Sequence, residues 1–237
     1  MIILAHRNSR EDVEKRGLPD LAEQLTTVPQ QIAEAEKQLA SGLRRDGQPM
    51  TPEQKEQLRG RIERRKAHLV QLREVGEVPL PEVTFENTLT LYRSAGDVRL
   101  LHFPGHTRGD IVVHLPKERV LVTGDLLDDL PFTGHGSPAA LLETLNKLST
   151  LEWDTLVPGH GAVRQGRAHL EQVRALFASV VEQTHAGVRA GLSKEDTVKK
   201  VNLDSFEKYF VTDDVARRYF NFFMIEAVQR AYDEVKR

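Results

Sequence analysis

Cysteine is absent from the 237-residue chain. That excludes disulfides, thiolate metal sites and a cysteine nucleophile, and it leaves the compartment open. Surplus charge is missing too. Thirty-three Lys and Arg against 35 Asp and Glu leave a formal net charge of −2, so no bulk field draws in nucleic acid or an anionic membrane. No apolar run approaches the ~18 residues of a membrane span. The opening MIILA is too short for a signal peptide, and the polar HRNSRED follows at once. As it stands the chain reads as cytoplasmic, or as exported if a longer N-terminus exists. What is present, 39% hydrophobic and 29% charged residues, suits a globular chain with one sizeable core.

The chain opens on an apolar Ile2-Ile3-Leu4 strand with no lead-in. Asn8 and Glu11 form a capping-box pattern for a short helix ended by Gly17 and Pro19. Between about 29 and 75 the composition shifts to Gln, Glu, Arg, Lys and Ala. Val28, Ile32, Ala35, Leu39 and Leu43 share one helix face, Arg45–Pro49 breaks it, and Thr51-Pro52-Glu53-Gln54 restarts a helix. Leu58, Ile62, Leu69 and Leu72 continue the second seam, which predicts a helical hairpin with charged outer faces. After Pro81 the period turns to two. Strands are expected at Val83–Phe85, Leu89–Leu91, Val98–Phe103, Ile111–Leu115, Arg119–Thr123 and Asp154–Val157. A helix opens at Ser137-Pro138, and everything after about 166 is helical, ending in the aromatic-rich Tyr219–Phe223 stretch. The expectation is an α/β domain over 1–237, with a helical-hairpin insertion at 29–75 and a helical tail at 166–237.

Of nine histidines, His6, His68, His102, His114, His169 and His185 lack convergent partners in the sequence and read as surface or core residues. Three other residues share a pattern. His106 sits between Gly105 and Thr107, Asp125 follows Gly124, and His160 sits between Gly159 and Gly161, each at the exit of a strand. Three strand ends of one sheet lie close in space, and two imidazoles with one carboxylate suit zinc, iron or manganese. His135 and Arg108, with the loop Leu130–Ser137, are candidates for the rim or the substrate entrance.

The stretch GHTRGDIVVHLPKERVLVTGDLL followed by LVPGHG resembles the second half of the metallo-β-lactamase fold superfamily, in its metallo-hydrolase and glyoxalase II-like branch. The resemblance covers roughly Leu80 to Val163. It implies an αβ/βα sandwich of two sheets with helices outside, and it makes His106, Asp125 and His160 metal ligands. Asp125 would bridge two ions and be the catalytic carboxylate, with zinc the expected metal and iron or manganese as alternatives. The implied activity is hydrolysis of a small-molecule ester, lactam or similar electrophile by a hydroxide held between the cations. The family's H-x-H-x-D-H motif, which supplies further ligands to both ions, does not occur here. The opening residues resemble the strand and helix that come directly after that motif in related hydrolases, so the chain reads as the N-terminally truncated C-terminal part of the domain. Each ion would then keep two of these residues, and part of one sheet would lie uncovered unless the hairpin, or a second copy in a homodimer, packs on it. Two other readings stand beside the hydrolase: a catalytically silent fragment acting through helix-mediated association, and an iron-dependent oxidoreductase of the same superfamily.

Overall fold

A computed structural model describes residues 2–76 and 78–236. The chain divides into two compact units, Met1–Ile3 with Arg10–Glu82 and Leu4–Ser9 with Val83–Arg237.

The first unit is helical. Helix α1 (Arg7–Asp12), whose first residues belong to the second unit, runs through a π turn at Val13–Gly17 into α2 (Leu18–Ser41), and α3 (Pro52–Val75) returns. The expected stop at Gly17 and Pro19 is overturned. Gly17 takes helical angles, and the Leu18 N–H donates to the Val13 carbonyl, so the helix runs on through a π turn into Pro19. Pro29 lies inside α2 and removes one helical hydrogen bond, yet the helix runs on to Ser41. Val28, Ile32 and Ala35 are buried in one cluster with Leu58, Ile62, Leu69 and Leu72 of α3, and that packing outweighs the local break. Gly42 ends α2 in the left-handed conformation, its N–H donating to the Leu39 carbonyl. The Thr51–Gln54 capping box forms as expected.

In the second unit β1 (Leu4–His6) pairs in parallel with β2 (Val83–Phe85) as a two-stranded sheet. The Asn8–Glu11 box is not used, because the Asn8 N–H donates to His6 Nδ1, and the Asn8 side chain donates to the Arg108 carbonyl. A six-stranded sheet follows in sequence order: β3 (Thr88–Leu91), β4 (Val98–His102), β5 (Ile111–Leu115), β6 (Val120–Gly124), β7 (Thr155–Pro158) and the short β8 (Arg164–Gln165). All neighbours are antiparallel except β6 and β7, which run parallel with helix α4 (Pro138–Leu148) between them in the chain. Helices α5 (Ala168–Arg189), α6 (Lys194–Lys200), α7 (Asp204–Phe210) and α8 (Asp214–Lys236) complete the unit.

Alternate residues of β5 and β6 are buried, and Val112 and Leu121 join Leu145, Trp153, Leu156 and Phe177 in one core. The fold is mixed α/β, with a two-stranded and a six-stranded sheet. Among the described residues no helix is long and apolar enough to cross a membrane.

Strand direction places the chemistry. With β4 and β6 both antiparallel to β5, and β7 parallel to β6, strands β4, β6 and β7 point the same way. Their C-terminal ends share one edge of the sheet, and that edge carries His106, Asp125 and His160.

Candidate metal centre

The loop after β4 is folded around a carboxylate that the sequence reading passed over. Asp110 Oδ2 accepts from the backbone N–H of His106 and of Thr107, both at 2.8 Å, and Thr107 Oγ1 donates to Asp110 Oδ1. The His106 ring is then fixed by its own hydrogen bond, Nδ1 to the Phe132 carbonyl at 3.0 Å. A carbonyl can only accept, so Nδ1 carries the proton and the lone pair of the neutral ring lies on Nε2. Gly134 lies against that nitrogen at φ +51°. A Cβ there would come within 2.6 Å of Nε2, so both the conformation and the space require glycine.

Asp125 opens a single 3₁₀ turn (Asp125–Leu127) directly after β6. His160 follows β7 and Gly159, whose N–H donates to the Gly124 carbonyl at 2.9 Å. A Cβ on Gly159 would run into Asp125 Oδ1, so only glycine lets this strand exit close onto the carboxylate. The result is a carboxylate between two imidazoles. Asp125 Oδ2 lies 3.6 Å from His106 Nε2, and Asp125 Oδ1 lies 3.7 Å from His160 Nε2. The structure thus brings together the three residues that the sequence singled out.

It also adds a fourth. A 3₁₀ turn has three residues per turn, so positions 125 and 128 eclipse. Ligand atoms of Asp125, Asp128 and His160 all lie within 4.8 Å of one another. Asp128 Oδ1 accepts from the His160 N–H at 2.7 Å, and the side chain is buried beside Asp125. Burial, with the nearby Asp125 charge, raises the Asp128 pKa above its ordinary value, while the His160 N–H opposes the rise. The neighbouring Asp129 accepts from Arg164 Nε and Nη2 at 2.9 and 2.7 Å, bracing the turn beyond His160. The run Asp-Leu-Leu-Asp-Asp was the available signal, with its three-residue spacing after Gly124.

Four of the other histidines donate to backbone carbonyls. His114 Nε2 donates to the Glu152 carbonyl, and His169 Nε2 donates to the Asp128 carbonyl. His6 and His102 stack at 3.5 Å between ring centroids, each donating through Nε2 to a backbone carbonyl, of Glu86 and Arg108 respectively. Burial, and secondly the neighbouring His102, lower the His6 pKa. The expected rim divides. Leu130 and Phe132 line a cavity of about 650 Å³ with Asp125 and His160, whereas Arg108 and His135 line a separate one of about 350 Å³.

The sequence profile of the metallo-beta-lactamase superfamily matches residues 31–160, more than half of the chain. The chain belongs to the metallo-beta-lactamase superfamily. A linear primary-alkylsulfatase of Pseudomonas sp. (strain ATCC 19151) is 30% identical over 135 residues, which are 52% of this chain and 26% of that protein. A hydroxyacylglutathione hydrolase of Brucella anthropi is 30% identical over 106 residues, 44% of this chain and 36% of its own. The superfamily chain therefore spans about a quarter to a third of the length of these relatives. Among solved structures, a metallo-beta-lactamase family protein of Thermus thermophilus superposes with a TM-score of 0.51 at 20% identity, covering 99% of this chain and 67% of that one. An inverting sec-alkylsulfatase of Pseudomonas sp. gives 0.51 at 15% identity, over 66% of this chain and 27% of its own. At these identities the two structures speak for the fold alone.

Proposed function

We propose that the chain acts as a metal-dependent hydrolase of the superfamily, and that Asp125, Asp128 and His160 hold one divalent ion, zinc first among the candidates. The observation that carries this reading is the ligand atoms of Asp125, Asp128 and His160 lying within 4.8 Å of one another, with the His106 imidazole facing the other oxygen of Asp125. Both N···O separations at Asp125, 3.6 and 3.7 Å, are too long for hydrogen bonds. They fit two donors on one cation, since atoms each ~2.1 Å from a tetrahedral zinc lie ~3.4 Å apart. The protonated Nδ1 of His106 suits a ligand of a second ion, because a ligating imidazole normally donates its other N–H to an acceptor. A bound divalent ion would supply a water of lowered pKa and a positive charge facing the developing oxyanion.

The protein's part is placement. Asp110 and the Phe132 carbonyl orient His106, Asp128 holds the His160 backbone, and the glycines at 134 and 159 let the loops close. Among the described residues, His106 and Asp125 face the position of that second ion.

Metal analysis after equilibrium dialysis tests the assignment. About one equivalent of zinc should be retained, and Asp125→Asn or His160→Ala should release it. Cleavage of p-nitrophenyl acetate should appear with the metal and vanish with a chelator. A chain that retains no divalent metal would overturn the reading.

A further inference from the structure

The cavity containing Asp125 has two unlike sides. One carries His106, Asp125, Asp128 and His160; the other is an apolar wall of Leu130, Phe132, Tyr219 and Phe223. The wall is continuous with the candidate ligands. Phe132 meets His106 edge-on at 5.7 Å and stacks on Phe223 at 4.4 Å, and Tyr219 lies 5.8 Å from Phe223. Tyr219 remains 54% exposed at the outer end. Tyr219 and Phe223 come from α8, beyond the residues that the family profile matches.

The charged groups in the lining of this cavity are carboxylates. No lysine or arginine is among the described residues lining it. Arg164, which approaches through the Asp129 turn, donates twice to the Asp129 carboxylate, and Arg218, just before Tyr219, lies outside the lining. The neighbouring cavity holds Arg108 and Arg230 together with Asp233 and Glu234. Asp125 and Asp128 together offset the charge of a single divalent ion, and imidazole ligands add none. A negatively charged substrate would therefore meet no surplus positive charge, while an aryl or alkyl group would bury surface against the aromatic wall.

We propose that this cavity takes an uncharged substrate, an ester or lactone, with its aryl or alkyl group packed on Phe132, Tyr219 and Phe223. By the same argument it discriminates against anionic esters such as sulfates. The substrate class rests on the hydrolase reading. The selectivity of the wall does not need the metal, so the two can fail separately.

The test uses the full chain, metal-free and zinc-loaded, with a pair of fluorescent probes. N-phenyl-1-naphthylamine is neutral, and 8-anilinonaphthalene-1-sulfonate is a close analogue carrying a sulfonate. The neutral probe should bind both forms, and Tyr219→Ala and Phe223→Ala should weaken it by about tenfold. Tyr219 is the more exposed of the two, so its variant folds even if Phe223→Ala does not. Binding of the sulfonate should be insensitive to both variants, and Tyr219→Arg should create a sensitive, tighter component. With zinc, p-nitrophenyl butyrate should be cleaved and p-nitrophenyl sulfate should not. Neutral binding that ignores both alanine variants overturns the wall assignment. Sulfonate binding that is as tight as that of the neutral probe, and as sensitive to the variants, overturns the charge selection, as does cleavage of the sulfate. Probe results as expected with no metal-dependent cleavage of any ester would instead count against the hydrolase reading alone.

Discussion

Ile62, the best-buried hydrophobic side chain described in the helical hairpin, keeps 3% of its surface exposed, whereas Leu121, Leu145, Leu156 and Phe177 of the sheet-bearing unit keep none. The hairpin buries one seam between two helices, and the other faces of both are solvated. In the sheet unit strands and helices contribute to one larger buried cluster. The candidate metal centre stands on the second kind of support. A ligand set needs its backbone fixed to a fraction of an ångström, and strand exits above a buried core provide that. A two-helix seam meets a lower demand, and it tolerates an internal proline.

Core truncation sharpens that contrast most. Phe177→Ala should cost about 3–5 kcal/mol, because nothing beside it can move in to fill the space. Ile62→Ala should cost about 2 kcal/mol, near the low end for such changes, because its surroundings can close up and water already reaches them. Denaturant unfolding of both variants checks the order, and equal losses would show the hairpin seam to be as tightly packed as the sheet core. A smaller effect is expected from Gly159→Ala, about 1–3 kcal/mol, since the new methyl displaces Asp125 or the Gly124 backbone. Its signature is loss of zinc retention with little change in far-ultraviolet dichroism. Retained zinc would mean that the strand exit has more room than the structure gives it.

The smallest predicted effect is on pH dependence. His6 and His169 both have pKa values lowered below 6.5, chiefly by burial. The unfolded chain then takes up protons that the folded chain refuses. Their contribution is complete above about 6.5 and is lost as pH falls through the interval down to the folded values. Melting temperature should fall as the pH is lowered through and below about 6.5. Asp128 carries the opposite sign, its raised pKa adding stability as it protonates, and Asp128→Asn removes it from the comparison. A flat melting profile in that variant would show both imidazoles to be more hydrated than their surroundings imply.

Much of this was readable from residue order alone. β2, β5 and the start of α4 came out at their observed bounds, and β3, β4, β6 and β7 within a residue, because period-two alternation over a covered face leaves little choice. Glycine beside His106, Asp125 and His160 marked the strand exits that meet. The helix boundaries near Gly17 and Pro19 failed because a turn signal counts only where the chain has no better partner, and the seam with α3 was that partner. Asp110 and Asp128 escaped notice for a different reason. Their work lies in accepting backbone N–H groups across a turn, which no periodicity records. The Tyr219–Phe223 wall was legible as an aromatic helix, but what it faces depends on how α8 packs.

The parallel pairing of β6 and β7 has a consequence for how the molecule comes into being. Asp125 and His160 meet only after α4 has crossed over and the two strands have joined, a non-local closure that is slow compared with hairpin formation. Strands β3 to β6 can zip sequentially without creating any pair of these ligands on adjacent strands. Uptake of a metal by the folding chain would thus time the closing of one particular crossover, and a scarce ion would find few intermediates able to hold it.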